Sequence, residues 1–510
     1  MSTHKKRKKK TNFNNMLVFL VLLSSLFLIY HILLLGPIEK RIRYIIIGVI
    51  IIINIIFFLV KQKKTKCIAT LMMILFIIIN VIGSFSINKV YSIIDSFNKH
   101  NIIYSSSLIA LNDSKINEIS DVKKTKIGLI SDTMSIDNYV IAKEIIDEEE
   151  LDKNNEIISY DDILVMLNDL YNNKIDLMFI SSNYDVMFQD IEGYEDIKAK
   201  VKVITDKDKP IEKETRTVSL INDGNDVEPF SILLMGVDSE KDGLKRNSYA
   251  NGDGLMLLTF NPDTLNITMM SIPRDSYLPI SCRNNTKNKL THAGWFGTDC
   301  MIETIENAFD IEINYYVKVN FKGVVSLVDT LGGVTVDVPK RLCTDDSNRQ
   351  GEICIDGGIQ TLNGEGALVL ARNRYDLSNG DIDRGYNQQL LLKGLINKLT
   401  EIRSVNTLLD VLEQISNNLD TNLTTDEILA FYNIFKDILE SRKYQKTDNI
   451  LNIIQIKLAG DSKKIYFENL NQRLWIYELD NNSVKNATKE MKINLGLEEA
   501  EMIKEFSFSP

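Results

Sequence analysis

A nearly uncharged apolar run at residues 16–35 follows a tail in which residues 5–10 are all basic. At ~1.5 Å per residue, a helix of that length reaches across the ~30 Å hydrocarbon core of a bilayer. Further apolar runs occupy residues 44–60 and 67–87, and each is about long enough to span with little tilt. The sequence therefore predicts three transmembrane helices. The basic segment 61–66, together with the tail 1–15, marks the cytoplasmic side through its excess of Lys and Arg, although the loop 36–43 is mildly basic too. An odd number of spans then puts everything after residue 87 outside the cell, in a multi-pass protein of the cell membrane with a cytoplasmic N-terminus. No small-residue cleavage site follows the first run, which argues against a removed signal peptide. Asn54 and Asn80 lie inside the second and third runs; single amides there are expected to hydrogen-bond between helices rather than to line a polar path.

The remaining ~420 residues exceed one ordinary core and predict two soluble domains. Most of the net charge of −10 belongs to them. An acidic, exported unit attracts neither nucleic acid nor an anionic polymer by its bulk field, so any polyanion must meet a local cluster of cations. Cys67 sits at the third run, whereas Cys282, Cys300, Cys343 and Cys354 fall beyond it, where disulfides persist. Pairing of nearest neighbours closes two short loops, Cys282 with Cys300 and Cys343 with Cys354. The alternative is a four-cysteine zinc site, which the absence of a Cys-x-x-Cys knuckle disfavours.

Residues 88–111 read as an amphipathic connector. An α/β pattern follows, with a strand at 126–130, a helix at 138–149, a second helix at 161–171 carried by Ile163, Leu164, Leu167 and Leu170, and a strand at 176–180. This small accessory domain holds no catalytic constellation. The charged stretch 205–228 reads as the linker out of it. Residues 230–237 are then uninterruptedly apolar, as in a strand buried on both faces. Runs at 255–260 and 267–272, separated by Asn261-Pro-Asp, predict a hairpin. A helix at 299–309, a strand at 315–319, a helix at 321–330 ended by Gly332 and Gly333, and a strand at 334–338 complete an α/β sandwich with a central mixed sheet.

Arginine's planar, permanently charged fork suits phosphate oxygens. Arg274, Arg372, Arg374 and Arg384 share this region with Asp238, Asp253 and Asp383, a composition that suggests a metal-assisted diphosphate site. If residues 371–376 are extended, Arg372 and Arg374 point the same way. Arg384 and Gln388, four apart near a helix N-terminus, share a face where amide groups favour anions. The chain has only 4 histidines, of which His292 alone lies in this domain, so histidine-based triads are excluded; a hydrogen-bonded structural role is expected of it.

Residues 230–400 resemble the LytR-CpsA-Psr domain. The resemblance rests on Leu-Leu-Met-Gly-Val-Asp ending at Asp238, Asp253 before an apolar strand, and Ser-Ile-Pro-Arg-Asp at 271–275. It is extended by Lys-Leu-Thr-His-Ala from Lys289, Asp-Thr-Leu-Gly-Gly-Val from Asp329, Leu-Asn-Gly-Glu-Gly-Ala-Leu from Leu362, Ala-Arg-Asn-Arg-Tyr from Ala371, and Asp-Ile-Asp-Arg-Gly-Tyr-Asn-Gln-Gln from Asp381. The tail to about residue 497 follows more loosely. The resemblance implies a membrane-anchored enzyme of Gram-positive bacteria that attaches a polyprenyl-pyrophosphate-linked glycopolymer, such as teichoic acid or capsular polysaccharide, to peptidoglycan. Carried over by position, Asp238 and Asp253 hold Mg²⁺ (or Mn²⁺), and Arg274, Arg372, Arg374 and Arg384 grip the pyrophosphate. Lys289, Asp381 and Gln388 complete the pocket, with Asp275 or Asp381 as the candidate base. The polyprenyl tail is implied to lie between sheet and helices, so that strand residues 255–258 line a lipid.

One departure stands out. Many members carry Arg-Ser-Asp where this chain has Asn251, Gly252 and Asp253, which removes one phosphate-facing cation; Arg246, five residues earlier, is the candidate substitute. The expected layout is a basic tail at 1–15, three spans at 16–87, connector, accessory domain and linker at 88–228, the catalytic domain at 229–400 and a C-terminal extension at 401–510. The alternatives are a polyprenyl-pyrophosphate hydrolase and a non-catalytic wall-polymer binding protein.

Overall fold

The computed structural model describes residues 2–34, 40–60, 66–98, 102–133, 135–188, 191, 193–211, 227–237, 252–345, 351–399, 401, 405–415, 418–424, 427–428, 431, 451–467 and 472–499. The N-terminal part is three helices, α1 (Ser2–Leu34), α2 (Lys40–Val60) and α3 (Lys66–Asn98). Segments Asn15–Leu34 and Ile68–Lys89 are long and apolar enough to cross a membrane, while Arg43–Leu59 is a shorter apolar stretch. Leu17, Val18 and Val21 of α1 pack on Met73 of α3. The two amides behave as helix-to-helix links: Asn54 Nδ2 donates to Ser25 Oγ at 2.8 Å, and Asn80 Nδ2 to the same oxygen at 2.9 Å.

The rest of the described chain forms, for the most part, a second compact unit with two larger sheets. The first contains β1 (Ile102–Leu111), β2 (Lys126–Ile130), β3 (Glu156–Tyr160), β4 (Leu177–Ser181) and β5 (Val201–Ile211) in the order β3-β2-β4-β1-β5. Helix α4 (Ile141–Glu148) covers one face, packing Ile141, Ile145 and Ile146 on Ile127, Leu129 and Phe179. Helices α5 (Ile163–Tyr171), α6 (Tyr184–Phe188) and α7 (Ile197–Lys200) cover the other, in a core that takes in Trp295 and Leu474 from the second sheet's region. Asp162 caps α5 by accepting from Leu164 N at 2.8 Å.

Two expectations fail here. Residues 88–111 are no connector: α3 continues to Asn98, and β1 is an inner strand between β4 and β5. The serines at 105–107 broke the apolar signature, yet all three are buried, and Ser105 hydrogen-bonds to Asp208 and Ser107 to Ser182 Oγ at 2.7 Å. Residues 205–211 belong to β5, whose Lys and Asp residues suit an edge strand; the rest of the expected linker, residues 212–226, lies outside the described residues.

The second sheet is mixed, ordered β16-β11-β6-β7-β8-β17. Its strands are β6 (Phe230–Val237), β7 (Gly252–Asn261), β8 (Asn266–Ile272), β11 (Tyr315–Asn320), β16 (Leu419–Thr421) and β17 (Asn452–Ile456). β6, β7 and β8 run antiparallel, whereas β11 and β17 run parallel to β6 and β8. Hairpin β9 (Tyr277–Ile280) and β10 (Thr286–Lys289) leads to α8 (Thr298–Phe309). That helix and the helix Asn481–Asn494 bury Leu233, Met235, Leu255, Leu257, Met270 and Ile272 on one face. The opposite face carries α9 (Phe321–Thr330), α10 (Gly364–Arg372) and α11 (Asp381–Leu399). β12 (Val334–Val338) leaves the sheet to pair with β15 (Gly358–Leu362), and β13 (Leu342–Asp345) pairs with β14 (Glu352–Ile355). Helix α12 (Val405–Ile415) packs near α9, and β18 (Gly460–Phe467) pairs with β19 (Gln472–Leu479). Both nearest-neighbour disulfides are formed, Cys282–Cys300 and Cys343–Cys354; the zinc alternative falls with them.

Candidate active site

Strand residues alternate between faces, so while Leu255 and Leu257 fill the core, Leu234, Met256 and Val319 face α9, α10 and α11. Between them lies a cavity of about 400 Å³. Its apolar wall adds Phe321, Val324, Leu368, Leu391, Leu392 and Leu395, and its polar wall is Arg274, Arg372, Arg374, Arg384 and Gln388. Of the expected lining by residues 255–258, Met256 alone borders the cavity, and Leu255 and Leu257 fill the core on the other face.

Helix α11 organises this gradient. Arg384 and Gln388 occupy its first two turns and Leu391, Leu392 and Leu395 the next two, so its wall changes from cationic to apolar over about 16 Å of axial rise. Gly254 makes room for Gln388: a Cβ there would stand 3.1 Å from Gln388 Nε2. Asp381, the first residue of α11, ties two arginines together. Its carboxylate lies 3.3 Å from Arg274 Nε and 3.4 Å from Arg384 Nη2. Burial pushes this carboxyl up, but the guanidiniums of Arg384, Arg274 and Arg374 outweigh burial and hold it below the ordinary carboxylate range. Asp381 is therefore an ionised brace between cations.

Residues 371–376 are not extended. Arg372 ends α10, and Asn373 turns the chain with ψ 130° while its Nδ2 donates to Cys343 O at 2.6 Å and to Asp376 Oδ2 at 2.7 Å. The two arginines still reach the cavity by this turn. The Arg372 guanidinium lies 4.5 Å from the centre of the Phe321 ring, and Arg374 donates to Tyr375 Oη at 2.8 Å. Disulfide-linked β13 contributes Thr344 and Asp345 to the same lining. Phe321, Asp345, Asn373 and Tyr375 were missed by motif reading, although Asn373 and Tyr375 flank Arg374 in a segment already singled out.

Asp275 and Lys289 pair with each other at 2.8 Å, beside Arg274 rather than on the cavity wall. His292 is a buried structural residue: Nδ1 meets Asn288 Oδ1 at 2.9 Å and its ring stacks on Trp295 at 3.9 Å. Burial, with Lys289 and Arg274 nearby, pushes its pKa well down, which keeps it neutral. Asp238 and Arg246 lie outside the described residues, as does Asn251. Asp253 is the second residue of β7, with its side chain undescribed. The ladder there pairs Gly236 with Gly254 and then Val237 with Gly252, leaving Asp253 as the extra residue of a bulge. Among the described residues, the group of possible metal ligands that comes together is Cys343, Glu352 and Cys354, and its thiols are consumed by the disulfide.

A profile of the LytR_cpsA_psr family matches residues 191–493. The chain belongs to this family. It is 36% identical over 270 residues to polyisoprenyl-teichoic acid–peptidoglycan teichoic acid transferase TagU of Bacillus licheniformis, covering 52% of this chain and 78% of that protein. The TagU of Bacillus subtilis is 36% identical over 299 residues, covering 58% and 86%. The crystal structure of B. subtilis TagU aligns over 54% of this chain and 100% of that one at 31% identity, with a TM-score of 0.39.

Proposed function

We propose that this chain is a membrane-anchored transferase that moves a glycopolymer from a polyprenyl diphosphate carrier to peptidoglycan. The observation that carries the reading is a single cavity in which four arginines adjoin an apolar slot. A diphosphate with a long hydrocarbon tail has this polarity, and a free nucleotide or sugar phosphate has no use for the slot. The TagU relatives, named for teichoic acid transfer to peptidoglycan, support the acceptor.

In the proposed step a sugar hydroxyl of peptidoglycan attacks the phosphorus that carries the polymer. The new P–O bond forms as the bond to the polyprenyl phosphate breaks, and the hydroxyl proton leaves to a carboxylate or water. Arg274, Arg372, Arg374 and Arg384 neutralise the growing charge and align the diphosphate, which is most of what phosphoryl transfer asks of a protein. Asp381 holds Arg274 and Arg384 in place; with its low pKa it is a weak base. Asp253, in the bulge of β7, and Asp238, which follows β6 directly in sequence, are hard-oxygen donors, and this donor chemistry fits Mg²⁺ or Mn²⁺. Such an ion would supply charge neutralisation on the diphosphate. The anchor is proposed to be three spans, with residues 5–10 cytoplasmic and the mixed-sheet unit outside.

The deciding experiment incubates the full chain in detergent with lipid-linked polymer, peptidoglycan and Mg²⁺, and scores covalent attachment against free polymer. Attachment that Arg374→Ala abolishes, with the fold intact, is the expected result. Polymer released only to water identifies a hydrolase, and full activity in the variant removes Arg374 from the site.

A further inference from the structure

We propose that the outer face of the β18–β19 hairpin is a glycan-binding platform that presents the acceptor sugar strand to the cavity. This inference rests on the transferase reading and adds the place where the acceptor docks.

The hairpin has two unlike faces. Its register sets Lys464 opposite Trp475, Ile465 opposite Leu474, and Tyr466 opposite Arg473. Leu474 and Ile476 point inward and are buried, and Phe467 packs edge-on against Tyr277 at 6.1 Å. The other face turns Trp475 and Tyr466 to solvent, 53% and 51% exposed, with Lys464 5.3 Å from the Trp475 ring and Arg473 exposed beside Tyr466. One exposed aromatic needs no explanation. Two diagonal neighbours on one strand pair, about 7–8 Å apart by sheet geometry and flanked by cations, make a surface of definite chemistry. The C–H faces of pyranose rings pack on aromatic rings, and the hydroxyls and acidic substituents of a glycan find donors in Lys464 and Arg473.

The hairpin is also continuous with the candidate site. Tyr477 N donates to Asp275 O at 2.8 Å, and Ser276 bridges to Tyr477, so the hairpin is fastened to the turn that holds Arg274. The segment entering it, Lys457 and Leu458, lines a smaller cleft with Arg274, Asp381 and Arg384. This is the cationic end of the cavity. A lipid surface would call for such aromatics at the apolar end of α11, which is why the observations favour a sugar strand over a membrane.

The test uses the full chain in detergent as wild type, Trp475→Ala, Trp475→Phe and Tyr466→Ala/Trp475→Ala, with thermal unfolding to verify the fold. Co-sedimentation with polymer-free peptidoglycan is expected to weaken about tenfold or more in the double variant, the scale of an aromatic hot spot, and to recover partly with Phe. In the transfer assay the acceptor KM is expected to rise by a similar factor while the donor KM stays within about twofold, since the tenfold loss belongs to acceptor docking. Unchanged peptidoglycan binding overturns the platform, as does loss confined to phosphatidylcholine–phosphatidylglycerol vesicles. A chain that binds glycan through Trp475 but transfers nothing leaves the platform standing and removes the transferase reading instead.

Discussion

Replacing Asp381 with Asn keeps the size of the side chain and removes one charge from between two guanidiniums. At an effective dielectric constant near 20, each contact at 3.3 and 3.4 Å is worth about 5 kcal/mol gross. Desolvation cancels much of this, since Asp381 is 24% exposed and its partners 9% and 10%. The expected net loss is about 3 kcal/mol, the lower end for breaking one side of a buried ion pair, because the charge that lay between Arg274 and Arg384 is gone. The sign with pH follows from the depressed pKa. A carboxyl held below its unfolded value of about 3.9 contributes stability that is fully present above that value and is lost as pH falls through the folded one. Denaturant unfolding of wild type and Asp381→Asn should therefore differ at pH 7 and converge in acid below about pH 4. The transferase rate is expected to fall in the variant at neutral pH, with Asp381→Glu restoring part of both quantities. Equal stability at pH 7, or a gap that persists unchanged to pH 2, refutes the ionised brace.

Leu395→Trp should fill the apolar end of the cavity. Excluding one five-carbon unit of a carrier removes about 4 kcal/mol of burial at ~0.8 kcal/mol per carbon, part of which ordering offsets, so the donor KM is expected to rise about a hundredfold or more while soluble diphosphate analogues bind as before. Cys343→Ser/Cys354→Ser opens a loop with a sequence separation of 11 and is expected to cost about 2–3 kcal/mol. It should also lower activity, because Cys343 O holds Asn373 beside Arg374; denaturant titration and the transfer assay read the two effects. Asp137 in the first sheet's region is buried, 1% exposed. Burial raises its pKa well above the usual range and outweighs Ser181 and Ser105, which act to lower it. Asp137→Asn is therefore expected to stabilise the fold by about 1–3 kcal/mol at neutral pH, an advantage that vanishes below about pH 4, where both forms are uncharged.

The mixed sheet was legible because its strands are continuous apolar runs bounded by turn residues, as at 230–237 and around Asn261-Pro-Asp, and because Gly332 and Gly333, with φ of 75° and 97°, stop α9. β1 was not legible. Its serines at 105–107 carry a polar signature, and only the partner strands, which bury and bond them, make them strand residues. β5 failed for the opposite reason: an edge strand keeps Lys and Asp, and composition alone cannot tell it from a linker.

The site divides along the same line. The Ser-Ile-Pro-Arg-Asp run after an apolar strand carried Arg274, and helix spacing carried Arg384 and Gln388, since a helix periodicity fixes which side chains share a face. Arg372 and Arg374 do line one cavity, but not through the extended geometry expected of them. An extended segment would have aligned them by alternation, whereas α10 ends between them and the Asn373 cap, held by Cys343 and Asp376, turns the chain so that both arrive. Tertiary hydrogen bonds that link residues 30 apart leave no local periodicity to read. The brace formed by Asp381 shows the limit most clearly. Its neighbours in sequence mark it as one of several acidic residues, and only the fold sets Arg274, just after β8, against it, converting an ordinary helix-start aspartate into the residue that holds two guanidiniums of the cavity wall together.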